Sequence, residues 1–348
     1  MRVEEYGSDF HLPVAPEWKM DPSEISFFDD AFFQFYASGR AAFFELVKYG
    51  RDHLGWTEVY LPSYYCHEVS HFIQALGIEI LFYNSNPIAL QETDFEAVPD
   101  QSKTALVIVS YFGMETAKMK TFKHASVIED LTHNLLAVKK SKAQFVFGSL
   151  RKELPMPLGG FCYSKELTQI TAVSSDKSTD ALCDRRIEAM QLKGKYLSGE
   201  IVDKDKYRSL FVSTEVQLDE AEHIALPKAA LEILQSLDVP SILLEKRSNF
   251  ELICNELKTS EYFSLMGSEQ NRAHFGLTLK FLTSEIRNKF ATYLIENKIF
   301  PAILWPNQRS AKDLFLEERL VFIHVDFRYD QDDIKKMAQI INSYTIDE

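Results

Sequence analysis

Cysteine is scarce in this chain: Cys66, Cys162, Cys183 and Cys254 are all there is among 348 residues, widely spaced and without a CxxC pair. No histidine cluster stands at metal-ligand spacing either, so neither a disulfide framework nor a metal site is indicated, and reduced thiols are expected. Positive charge is also short, with 38 Lys and Arg against 51 Asp and Glu and a formal net charge of -13. Such a field repels a nucleic-acid backbone and an anionic membrane surface, which leaves small molecules as the expected partners. No apolar run reaches the roughly 18 residues of a membrane span. The opening stretch MRVEEYGSDFHLP is acidic and lacks an apolar signal core. A cytoplasmic location is the expectation. Repeats and low-complexity segments are missing too.

What the sequence has in quantity is apolar material, 46% of its residues. Single cores stop growing at about 250 to 300 residues, so one large domain and one smaller one are expected. From about residue 40 to 165 two patterns alternate. AAFFELVKYGRDHL and EVSHFIQAL carry helical spacing, while TEVYL, IEILFY, TALVIVSYFG, SVIED and AQFVFGS are strand candidates. Several of these runs are apolar on both faces, as strands covered by helices on each side must be. The pattern predicts an α/β domain with a mainly parallel central sheet and helices on both faces. Residues 177–258 read as a mostly helical connector, with LPKAALEILQSL and ILLEKRSNFELICNELK as its clearest periods. After it, FGLTLKFL, EIRNKFATYLIENK, RLVFIHVDF and DQDDIKKMAQIINSY predict a smaller α+β unit, with Asp332 and Asp333 at a helix start. The expected division is a large domain over 1–235 and a small one over 236–348.

In open α/β sheets ligands collect beyond the carboxyl ends of the strands, so polar residues that follow apolar runs become the candidates. Asp130 follows SVIE, with His133 three residues later in EDLTHN. Ser149 and Lys152 follow VFG, ahead of an LPMP turn and the Gly159–Gly160 pair. ASGRAA opens a helix at Gly39 and Arg40, where backbone amides and the helix dipole favour an anion. Each feature alone has an ordinary structural explanation as a cap, a turn or a surface charge. Their combination and order narrow the reading.

SGRAA, LPSYYC, SYFG, VIEDLTH and SLRK followed by GG, in that order, resemble the pyridoxal-phosphate-dependent sugar aminotransferases of the DegT and StrS type. These are fold type I members of the aspartate aminotransferase superfamily, and this chain resembles a divergent one. The resemblance continues weakly through KRSNFELICNEL, FPAILWP and HVDFRYDQDDI, and is least clear from about 165 to 235. It implies a PLP-dependent transferase fold and pyridoxal 5'-phosphate as cofactor. Lys152 is then the amine that carries the cofactor, Asp130 the partner of its pyridine nitrogen, and His133 a support for the ring. Ser149, Gly39 and Arg40 are implied to hold the phosphate. Lys152 is expected to be semi-buried, because a catalytic lysine is useful when burial lowers its pKa.

Two departures accompany the resemblance. Relatives commonly place an aromatic ring over the cofactor where this chain has Cys66, so Tyr65 or His67 covers that face, or Cys66 lines it. A serine found in many relatives five residues before the lysine is replaced by Phe147. On the substrate side, the resemblance implies Trp305, Asn307 and Arg328, with Tyr64 and Tyr111 as further candidates. The implied activity is transfer of an amino group from a donor such as glutamate to a carbonyl acceptor. A nucleotide-linked keto-sugar for surface polysaccharide synthesis is the implied acceptor, and the active sites lie in a homodimer. The alternatives are another pyridoxal-phosphate reaction on an amino acid, or a catalytically idle homologue that serves as a binding protein.

Overall fold

The computed structural model describes residues 2–12, 26–117, 120–165, 175–220, 225–268 and 271–345. In chain order the elements are β1 (Tyr6–Gly7), β2 (Phe33–Tyr36), α1 (Gly39–Tyr49), β3 (Glu58–Pro62), α2 (His67–Ile73), β4 (Glu79–Tyr83), β5 (Thr104–Val109), β6 (Ser126–Asp130), β7 (Phe145–Ser149) and β8 (Gly160–Tyr163). Four helices follow, α3 (Lys177–Leu197), α4 (Lys204–Glu220), α5 (Lys228–Gln235) and α6 (Val239–Glu256). The chain closes through β9 (Phe263–Leu265), β10 (Gly267–Ser268), β11 (Asn271–Arg272), β12 (Leu277–Phe281), α7 (Ser284–Glu296), β13 (Ile299–Phe300), α8 (Ala311–Glu317), β14 (Leu320–Ile323) and α9 (Gln331–Asn342).

Seven strands form the central sheet in the order β2-β8-β7-β6-β5-β3-β4. Strands β3 to β7 run parallel to one another, and β8 is antiparallel to both β2 and β7. The α/β pattern read from the sequence is therefore the architecture observed. Every residue of TALVIV in β5 is buried, as a central strand with two covered faces requires. In β7 the faces alternate: Phe147 stacks on Phe43 of α1 at 4.5 Å in a core that also holds Phe145 and Leu46, while Val146 belongs to a second core with Leu182 of α3 and Leu243 of α6. The expected helical stretch after residue 177 is α3 to α6.

The last part of the chain builds a separate antiparallel sheet, β14-β12-β9. Its core joins Leu277, Leu279 and Phe281 to Phe290 of α7 and to Ile334, Met337 and Ile341 of α9. At the start of α9, Asp330 accepts from the Asp333 amide and Asp333 returns the bond, a capping box that accounts for the acidic stretch read there. Near the other terminus, β1 pairs in parallel with β13, so residues 6–7 lie beside 299–300 rather than on the large sheet. Among the described residues no helix is long and apolar enough to cross a membrane.

Candidate active site

The strand directions place several chain segments at one edge of the large sheet. Asp130 ends β6 and Ser149 ends β7, and Ser149 pairs with Gly160 at the start of β8. Gly160 in turn pairs with Tyr36 at the end of β2, two residues before the Ser38 cap of α1. Close approach here requires glycine. A Cβ on Gly160 would stand 2.0 Å from the Ser38 carbonyl oxygen, and one on Gly39 would meet Ser149 Cβ at 3.0 Å. Ser38 Oγ accepts the Ala41 amide at 3.1 Å, which fixes the first turn of α1 against the strand ends.

A cavity of about 260 Å³ opens at this edge. Its walls include Gly39, Arg40, Cys66, Asp130, Ser149 and Lys152, together with Trp305 and Asn307 from the loop after β13. The structure thus brings eight of the sequence-derived residues to one place. The N-terminal end of α1 supplies partial positive charge to the wall, with Arg40 3.6 Å from Glu68.

Asp130 is 5% exposed and is held by two neutral donors: Tyr65 donates its hydroxyl to Oδ2 at 2.7 Å, and the Thr132 amide donates to Oδ1 at 2.9 Å. Burial pushes its carboxyl above the usual range, and these bonds oppose the shift without cancelling it. Thr132 also accepts the Ser149 amide at 3.2 Å, tying the ends of β6 and β7 together. Tyr65 is spent on this bond, and Cys66 lines the cavity along with His67. Burial raises the Cys66 thiol, which keeps it protonated at neutral pH.

Trp305 is clasped into place. Tyr64 donates to the Leu304 carbonyl at 2.7 Å, while Gln308 Nε2 donates to the carbonyls of Tyr65 at 2.8 Å and Trp305 at 3.2 Å. Tyr111 donates to the Tyr64 carbonyl at 2.7 Å, so Tyr64 and Tyr111 position the loop and are not part of the cavity wall.

Three sequence expectations differ from what is observed. Lys152 ends a single 3-10 turn and is exposed rather than semi-buried, while the LPMP stretch that follows is itself buried. No hydrogen bond or ion pair involves its amine among the described residues. His133 does not line the cavity, because its ring is stacked between Trp305 at 5.2 Å and Phe275 at 3.9 Å, where burial drives its pKa well down. Arg328 does not line the cavity either. Its guanidinium pairs with Asp326 at 2.8 and 2.9 Å and donates to the Ser8 and Asp9 carbonyls at 3.2 and 3.1 Å. That pair anchors the N-terminal segment.

Sequence reasoning missed Thr132 and Glu215, which both line the cavity. Thr132 lies inside the quoted VIEDLTH stretch and was legible. Glu215, from α4, is bonded by Arg151 at 2.5 Å and Arg186 at 2.8 Å, contacts that no local pattern announces.

No protein-family model and no curated protein matches the sequence. Solved structures do match in fold. The sugar aminotransferase CalS13 from Micromonospora echinospora aligns with a TM-score of 0.55 at 15% identity, covering 89% of this chain and 87% of its own. Helicobacter pylori PseC, an aminotransferase of pseudoaminic acid biosynthesis, gives 0.57 at 10% identity over 89% and 85%. The E. coli GDP-4-keto-6-deoxy-D-mannose-3-dehydratase with bound hydrated PLP gives 0.58 at 12% identity over 89% and 88%. At such identities the likeness is one of fold, and the fold is that of the fold type I pyridoxal-phosphate-dependent transferases.

Proposed function

We propose that the protein is a pyridoxal-phosphate-dependent aminotransferase, and that the cavity at the carboxyl edge of the large sheet is its active site. The observation that carries this reading is the convergence of a buried carboxylate, an unpaired lysine amine and a helix N-terminus on one cavity. The residues fit the cofactor. Asp130 has only neutral donors around a carboxyl raised by burial, so a protonated ring nitrogen would give it the cationic partner it lacks. Ser149 and the Gly39–Arg40 end of α1 would hold the phosphate, Cys66 and Trp305 would bound the ring, and Lys152 would hold the aldehyde carbon through Nζ.

Pyridoxal phosphate, when bound, supplies an electron sink for charge that develops at a substrate carbon. Asp130 would keep the ring nitrogen protonated, and Tyr65 and Thr132 hold Asp130 in place for it. The Lys152 Nζ takes a proton from the donor carbon and returns it, a role that needs a mobile amine within reach of the cavity. Trp305, fixed by Tyr64 and Gln308, excludes water from one side. Asn307 contributes a polar side chain for the acceptor. Arg328 has its donors engaged elsewhere, so the acceptor-side contacts rest with the 303–307 loop.

The donor is proposed to be an amino acid such as glutamate, and the acceptor a nucleotide-linked keto-sugar, supported by the sugar aminotransferases that share the fold. A cytoplasmic homodimer is the proposed form, in which a second copy would cover the exposed Lys152 side. The test is the half-reaction. Purified protein loaded with pyridoxal phosphate and given glutamate is expected to release 2-oxoglutarate and leave the cofactor in its amine form. Cofactor uptake without oxo acid from any amino donor would leave a different pyridoxal-phosphate reaction or a catalytically idle homologue, and no uptake would overturn the reading altogether.

A further inference from the structure

His133 lines a second cavity, of about 390 Å³, to whose wall Trp305 does not belong. Its other walls come from the 134–140 segment, from α6 and from the stretch at 271–274. Charge there is opposite to that of the whole chain: Lys140, Lys246, Arg247 and Arg272 face only Glu115 and Glu153. Lys246 and Glu153 neutralise each other at 2.7 Å, both buried, and Arg272 pairs with Glu251. Lys140 and Arg247 remain, with no hydrogen bond or ion pair among the described residues. His133 shares this wall, 3% exposed, with neither Nδ1 nor Nε2 hydrogen-bonded. A buried polar group without a partner is costly and points to a ligand that completes it.

We propose that this second cavity is a binding site for a small phosphate ester, with Arg247 and Lys140 as its charge contacts and His133 as its buried hydrogen-bond contact. An arginine fork and a lysine amine are the pair that oxyanions favour. A bare ion would fill little of the space, so an ester with an organic portion suits it better than free phosphate. Such a ligand does not touch the first cavity, because no residue lines both. It acts on it through one ring. The Phe275, His133 and Trp305 rings form a continuous stack, with interplanar angles of 16° and 12°, that ends on the wall of the first cavity. Occupancy therefore biases the position of Trp305.

The test is a calorimetric titration of the full-length protein with glycerol 3-phosphate and, separately, with inorganic phosphate. Saturable binding is expected, weakened about tenfold or more in the Lys140→Ala/Arg247→Ala double variant, whose exposed side chains can be lost without unfolding, and in His133→Phe, which keeps the stack. Ser149→Ala is expected to leave the affinity within about twofold, since it alters only the first cavity. Tighter binding of the ester than of phosphate supports the assigned class, whereas equal affinities narrow the ligand to the phosphoryl group. No saturable binding, or binding lost in Ser149→Ala and kept in the double variant, would overturn the proposal.

Discussion

The two sides of the first cavity are built in opposite ways. On one side Asp130, Tyr65, Thr132 and Trp305 are held by side-chain bonds across the ends of the strands, and Asp130, Tyr65 and Trp305 are buried. On the other, Lys152, Glu68 and Asn307 are exposed, and Glu68 stands 3.6 Å from Arg40 of α1. The difference teaches a division of labour: the strand-end side is preorganised, and the outer side leaves its groups open to reactants and to whatever covers it.

Substitutions on the two sides should therefore separate stability from activity. Trp305→Ala is expected to have the largest effect on folding, about 3 to 5 kcal/mol measured by denaturant unfolding, because it removes a nearly buried ring from the stack with His133. A loss under about 1 kcal/mol would mean that this wall is not packed as described. Asp130→Asn should lower turnover on the order of 10² to 10³, as loss of one preorganised charge does. Its effect on stability carries the opposite sign. A carboxyl raised by burial stabilises the fold only at low pH, and that contribution is lost as pH climbs through its folded value. The cofactor-free Asp130→Asn protein should thus be as stable as the parent or more so at neutral pH, and the advantage should vanish under acid, which thermal melts across a pH series will show.

Tyr65→Phe comes next, with an expected loss of about 1 to 3 kcal/mol for a buried bond to a charged group. Smallest of all is Lys152→Ala, expected to change unfolding free energy by no more than about 0.5 kcal/mol because the side chain is exposed. A large destabilisation there would break the comparison.

The same contrast explains what could be read from the chain alone. β5 and β7 were legible because both their faces are covered and their apolar runs are uninterrupted. The glycine pair and SGRAA were legible because backbones that touch leave no other residue possible, as the 2.0 Å approach at Gly160 shows. Harder were β2 and β8, four residues each and joined to the sheet by antiparallel pairing. The place of His133 depends on Phe275, which lies 142 positions further along the chain, and that of Arg328 on Asp326 and the carbonyls of residues 8 and 9. Lys152 was found by its spacing from Gly159, but exposure is a property of the assembled surface, and spacing carries no trace of it.

The most direct measurement is to incubate the protein with pyridoxal phosphate, reduce it with borohydride and map the modified peptide, with Lys152→Ala alongside. The account predicts a visible absorbance band that reduction converts to a covalent mark on Lys152, and neither in the variant. A mark on a different lysine, or no band in the parent protein, would contradict it.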